Sequence, residues 1–312
     1  MVNLIAYGGH QTAAVASVDK TRTLDTDGPA GLSSPTLSLF GTGYCCNMII
    51  SQAWNRQMAY DAAAGIAREF YESGVMGWYA PSMNTHRSAF AGRNFEYYSE
   101  DGYLSGELAR EQVLACESVG VYPYIKHFAL NDQETNRNGM LCTWTTEQAM
   151  REIYLKPFEE AVKAASPGKI AIMSSYNYIG SVWSGACPQL QKEVLRGEWG
   201  FKGMVLSDYF GNYGYMDADR AIRGGTDIML GTTGNGAILT DTTSGTSLQA
   251  MRQATKDVFY TTVNSAAYEN YVPGAIPTWQ TTSYVIEGVV AALAVVAEIL
   301  LVRGYLKKKK AA

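Results

Sequence analysis

A small set of side chains stands out because each closes a short apolar run or sits in a turn. Asp208 follows Gly203-Met204-Val205-Leu206-Ser207, a buried-strand pattern bounded by glycine, and Tyr209 comes next. Asp27 lies in the turn-forming Asp25-Thr26-Asp27-Gly28-Pro29. Arg93 opens Arg93-Asn94-Phe95-Glu96, Lys126 and His127 follow an apolar run, Arg137 ends the polar stretch 131–137, and Tyr176 sits in Ser175-Tyr176-Asn177. A carboxylate beside an aromatic ring suits a sugar, with the acid for the bond and the ring for the sugar face. Arg93, Lys126, His127 and Arg137 can donate to hydroxyls, and Asp27 can accept a bidentate pair of them. Positive groups around Asp208 would also hold its pKa down and keep it ionised as a nucleophile. Taken singly, each has a structural alternative. Asp208 could cap the next helix, Arg93 and Glu96 could form a surface pair, Lys126 could be solvated and His127 a satisfied core histidine.

Such groups need a frame, and in parallel α/β proteins the loops leaving the strand ends line the ligand crevice. Helical spacing covers 54–72 and 104–119, with strands over 74–80 and 122–125. A helix starts at Thr145, with Gln148 completing a capping box, and bends near Pro157. A strand over 169–174, a helix over 188–199, the strand ending at Asp208, a short helix over 217–223 and a strand over 227–230 follow. A Gly/Thr/Ser-rich loop over 231–246 and a helix over 247–268 come after. This alternation predicts an α/β fold, a TIM-like (β/α)8 barrel with irregular members over 1–230, then a loop and helix extension over 231–278.

Composition narrows the function classes. The 25 Lys and Arg against 29 Asp and Glu give a formal charge of −4, with the basic residues scattered except at the C-terminus, so no nucleic-acid footprint is expected. Five Cys form no CxxC pair and only three His are present, which argues against a disulfide framework or a metal centre. The 21 Tyr exceed what a core of this size needs. No metal or organic cofactor is expected.

The chain turns almost continuously apolar from Tyr284 to Val302, with Trp279, Tyr284 and Tyr305 near the ends and Lys307 to Lys310 just beyond. About 20 apolar residues of helix cross a hydrocarbon core. Aromatic edges and a lysine run predict a membrane anchor over 279–306, a basic cytoplasmic tail over 307–312 and an extracytoplasmic barrel. Glu298 is a cost, one turn from the end, where it can reach towards the interface. The alternative is a core helix packed on the barrel.

Together the strand-end segments resemble the barrel domain of family 3 glycoside hydrolases, the β-glucosidase group. The resemblance runs from about Asp25 to Leu230 and is densest over 92–106, 125–137 and 199–208. It implies a retaining, exo-acting β-glycosidase in which Asp208 attacks the anomeric carbon of a β-linked glucoside or oligosaccharide. Asp27, Arg93, Lys126, His127, Arg137 and Tyr176 would surround the sugar, and Glu134 would support the basic residues. Tyr209 replaces the family's usual Trp and keeps the ring. The stretch 129–134 lacks the Gly- and His-rich loop of members that remove N-acetylglucosamine, which favours glucosidase-type specificity. In β-glucosidase-type members the acid/base Glu comes from a second α/β domain, and no such domain fits in this chain. The chain resembles the latter half of a member with swapped domain order, needing a partner domain for the acid. The alternatives are a non-catalytic remnant or glycan-binding module, or a hydrolase whose acid lies on a local loop.

Overall fold

The computed structural model describes residues 1–211, 213–231, 237–268 and 278–311. They belong to two units, Met1–Val272 and Pro273–Ala312. The first unit is built on a seven-stranded sheet whose spatial order follows the chain. Its strands are β1 (Gln11–Thr12), β2 (Thr23–Thr26), β3 (Val75–Trp78), β4 (Tyr122–Phe128), β5 (Ala171–Ser174), β6 (Val205–Tyr209) and β7 (Ile228–Leu230). β1 and β2 are antiparallel, and β2 to β7 are parallel. Every residue of β3, β4 and β5 is buried, the signature of a parallel sheet covered on both faces.

The expected eight parallel strands are therefore replaced, among the described residues, by six parallel strands and one antiparallel edge. The connection from β1 to β2 holds only the 3-10 turn Ala16–Val18, too little chain for the crossover that parallel pairing requires. The sheet nevertheless curls until residues 8–12 bridge its two edges. The amides of Gly8 and Gly9 donate to Met229 O and Gly231 O at 2.9 Å, while Asp25 N donates to His10 O at 3.0 Å. Gly8 is required there, because a Cβ would overlap the Ile228 side chain.

Helices cover the sheet: α1 (Arg56–Glu72), α2 (Gly102–Val119), α3 (Lys156–Ala164), α4 (Ala218–Gly224) and α5 (Gly245–Val263). Asn55, Asp101, Asp217 and Ser244 cap α1, α2, α4 and α5 by accepting first-turn amides. The cap expected at Thr145 falls on Thr146, whose hydroxyl accepts Ala149 N–H at 3.2 Å. The turns that follow widen into π-helix over Met150–Tyr154 before Pro157, because proline removes a helical donor and forces the ladder to shift. The helix expected over 188–199 is likewise π-helical over Gln189–Glu198. The strand expected over 122–125 continues to Phe128, so Lys126 and His127 lie within β4. α5 buries Met251, Ala254 and Val258 in the core of the first unit. Part of the loop expected over 231–246 lies outside the described residues.

The second unit is the helix α6 (Thr278–Ala311). Its segment Thr281–Lys309 is long and apolar enough to cross a membrane, and none of it is buried.

Candidate active site

The parallel strands deliver their polar residues to one end of the sheet. Asp27 follows β2, Arg93 lies on the connection after β3, Lys126 and His127 end β4, Arg137 and Tyr176 follow β4 and β5, and Asp208 and Tyr209 end β6. All eight line a single cavity of about 300 Å³, together with His10, Tyr79, Met173 and Leu230. Sequence reasoning missed these four. His10 comes from the weakly patterned first residues, and Tyr79 was absorbed into an apolar run. Asp208 caps no helix; that role falls to Asp217 at α4.

Two carboxylates hold the cations in place. Glu96 Oε2 accepts from Arg93 Nε at 2.7 Å, while its Oε1 lies 3.4 Å from Lys126 Nζ and accepts the Ser82 hydroxyl at 2.5 Å. Lys126 Nζ also lies 3.4 Å from Asp27 Oδ1, so it ties a buried carboxylate to one that is half exposed. Glu134 Oε2 is 2.9 Å from Arg137 Nε, and its Oε1 is 3.7 Å from Arg93 Nη1. The Arg137 guanidinium lies 4.6 Å from the centre of the Tyr176 ring.

His127 is fixed through its backbone, where Asn84 Nδ2 donates to His127 O at 2.9 Å and Asn84 Oδ1 accepts His127 N–H at 2.8 Å. Its Nε2 lies 3.2 Å from Arg93 Nη1. A guanidinium can only donate, so Nε2 accepts and Nδ1 carries the proton. Burial, then the charges of Arg93, Lys126 and Arg137, push His127 well below the ordinary imidazole range, so the ring is neutral.

Asp208 is 7% exposed. Its Oδ1 accepts Tyr209 N–H at 2.7 Å. Its Oδ2 lies 3.6 Å from Arg137 Nη1 and 3.9 Å from His127 Nε2, and is buried without a hydrogen-bond partner. Arg137 Nη1 and His127 Nδ1 are also buried and unpartnered. Three polar atoms of site residues are thus desolvated and unsatisfied in one place, a costly arrangement that a polar ligand would relieve. The cations do not win the contest over Asp208. Burial raises its pKa, and Arg137, the Tyr209 amide, Arg93 and Lys126 offset that only in part. The expectation of a depressed pKa is corrected accordingly: enclosure of the carboxylate outweighs its neighbours. Glu96 goes the other way, to about 2, because Lys126, Arg93 and Ser82 together exceed its burial penalty.

The cavity therefore offers a carboxylate oxygen without a hydrogen-bond partner, several fixed donors for vicinal hydroxyls, and a ring at Tyr209 that is 45% exposed. Among the described residues its lining holds two carboxylates, Asp27 and Asp208.

The profile of the glycosyl hydrolase family 3 N terminal domain matches residues 30–257. Beta-glucosidase A of Butyrivibrio fibrisolvens is 36% identical over 232 residues, covering 74% of this chain and 27% of that protein. Beta-glucosidase B of Emericella nidulans is 36% identical over 70% of this chain and 27% of its own length. Among solved structures, beta-glucosidase 3B of Thermotoga neapolitana in complex with glucose superposes with a TM-score of 0.75 at 32% identity, covering 88% of this chain and 40% of that one. The chain thus spans about a quarter of the length of the curated relatives it matches. With the family profile covering most of the chain and a similar fold in a solved relative at 32% identity, this chain belongs to glycosyl hydrolase family 3.

Proposed function

We propose that the chain is the sugar-binding, nucleophile-bearing part of a retaining, exo-acting β-glucosidase. The observation that carries this reading is Asp208 Oδ2, buried without a hydrogen-bond partner at the end of β6 in a cavity lined by Asp27, Arg93, Lys126, His127 and Arg137. In this reading Oδ2 attacks the anomeric carbon of a terminal β-linked glucose and forms a covalent glycosyl-enzyme while the leaving-group oxygen is protonated. Water then hydrolyses that intermediate and releases glucose with its configuration retained. Asp27 and Lys126 take a pair of sugar hydroxyls, Arg93, Arg137 and His127 Nδ1 donate around the ring, and Tyr176 and Tyr209 wall the pocket.

Retention needs a second carboxyl about 5 to 5.5 Å from the first. Asp27 is engaged by Lys126, and Glu96 and Glu134 are engaged by arginines. The acid/base is therefore assigned to an α/β domain outside this chain, as the length of the relatives allows. A glycan-binding module is the second reading, favoured by the engagement of Asp27, the other carboxylate that lines the cavity among the described residues, by Lys126. We also propose that residues 279–306 anchor the enzyme in a membrane, with the basic tail 307–312 on the cytoplasmic side and the sugar pocket outside.

The test is turnover of an aryl β-glucoside whose leaving group needs no proton, since general acid catalysis is worth about 10² to 10⁴ in rate. Turnover that disappears in Asp208→Ala supports the nucleophile. Glucose binding without turnover, weakened in Asp27→Ala, supports the binding module instead. Neither binding nor turnover sinks both. Release of the chain from membranes by alkaline carbonate would rule out the anchor.

A further inference from the structure

A second cleft carries chemistry that the Asp208 pocket does not use. It encloses about 480 Å³, and its walls include Arg87, Phe90, Asp132, Gln133, Thr135 and Trp144, a volume in the range of small-ligand sites. Phe90, 93% exposed, and Trp144, 78% exposed, are the two most exposed large apolar side chains among the described residues, and both face this cavity. Leaving two aromatic rings in water is costly, and their convergence on one concavity marks a binding surface.

The remaining walls say what kind of ligand fits. Asp132 Oδ1 accepts Thr85 N–H at 3.0 Å, and Gln133 Nε2 donates to Thr135 O at 3.0 Å, so both side chains are held against the cleft. The charged side chains of the lining are one arginine, Arg87, and one aspartate, Asp132, whose carboxyl burial pushes up to about 7. The Trp144 ring lies over Gly180, where an added Cβ would sit 3.6 Å from it, so the ring is seated against backbone while most of its surface stays open. Flat rings interleaved with fixed hydrogen-bonding groups suit a sugar chain better than an apolar peptide.

We propose that this cleft is a second saccharide site, separate from the Asp208 pocket, which holds a β-linked gluco-oligosaccharide between Trp144 and Phe90. The choice of a β-gluco chain rests on the reading given under Proposed function; the stacking cleft itself does not. The two sites are neighbours through one loop. Glu134 and Arg137 serve the Asp208 pocket, while Asp132, Gln133 and Thr135 line the cleft, and Glu134 N donates to Ala91 O at 2.9 Å beside Phe90.

The experiment is titration of the full chain with cellotetraose and laminaritetraose, followed by calorimetry, beside glucose binding and aryl β-glucoside turnover. Trp144→Ala and Phe90→Ala should each weaken binding of at least one tetrasaccharide about tenfold, with melting temperature, glucose binding and turnover unchanged. Trp144→Phe should recover most of the lost affinity, and Asp208→Ala should leave the Trp144-dependent binding intact. Wild-type tetrasaccharide affinity in the double variant overturns the proposal, as does binding abolished by Asp208→Ala alone or no binding of either tetrasaccharide. So does a Trp144→Ala defect confined to association with another protein. Loss of turnover with tetrasaccharide binding retained would sink the hydrolase reading and leave the cleft standing.

Discussion

Replacing Glu96 by Gln removes the charge that holds two site cations at once. Glu96 is 6% exposed, bonds Arg93 at 2.7 Å and Ser82 at 2.5 Å, and lies 3.4 Å from a Lys126 that is itself 3% exposed. A carboxyl moved from the ordinary 4.5 to about 2 contributes about 3 kcal/mol to folding at neutral pH. That agrees with the roughly 3 to 5 kcal/mol cost of breaking a buried ion pair from one side. Because the folded pKa is depressed, the contribution is complete above 4.5, where the unfolded glutamate is ionised. It is lost as pH falls towards 2. Urea unfolding of the wild type and Glu96→Gln should therefore differ by about 3 kcal/mol at pH 7, and the gap should narrow steadily below pH 4.5. In thermal scans at pH 7 the variant should melt about 6 to 12 °C lower. A gap under about 1 kcal/mol at pH 7, or one that stays constant down to pH 3, would refute the assignment of Glu96 as the charge that organises Lys126 and Arg93.

Asp208→Asn should cut any glucoside turnover by about 10⁴-fold yet raise the melting temperature at pH 7. Burial lifts the folded pKa of Asp208, so ionising it costs stability as pH rises, and the gain should vanish at acid pH where the wild type is protonated; an unchanged melting temperature at pH 7 would count against this. Asn84→Ala strips both hydrogen bonds from the His127 backbone and should cost about 2 to 4 kcal/mol while weakening glucose binding in calorimetry. Gly77→Ala would drive a Cβ into Asp25 and the Tyr122 ring, costing about 1 to 3 kcal/mol in denaturant unfolding with no change in glucose affinity.

Part of the candidate site was legible because Asp208, Lys126 and His127 follow apolar runs and a parallel sheet sends such endings to one side, whereas Asp27, Arg93, Arg137 and Tyr176 were joined to them by the family resemblance. The runs before Asp208, Lys126 and His127 pointed to strand ends but left a helix cap, a solvated lysine and a core histidine open. His10 could not be placed, since its strand β1 has two residues and no measurable period. The same brevity hid the antiparallel edge and led to an expectation of eight parallel strands. The π-helical turns at Met150–Tyr154 and Gln189–Glu198 bury their apolar residues much as an α-helix does, so spacing alone does not separate them. The direction of the Asp208 pKa was misjudged for a different reason: charge is written in the sequence, whereas enclosure is a property of the assembled sheet.

The bridge made by Gly8 and Gly9 has a consequence for the order of assembly. Gly8 N meets Met229 O, two positions separated by nearly the whole first unit, so this contact has one of the longest sequence separations the fold allows. On a ribosome Gly8 and Gly9 emerge before β7 and must wait for it before their hydrogen bonds can form. Until Gly8 and Gly9 dock, the outer edge of β7 carries unpaired backbone groups, the condition under which sheets join other chains. Closing the sheet is thus a late, non-local event, and such contacts slow folding.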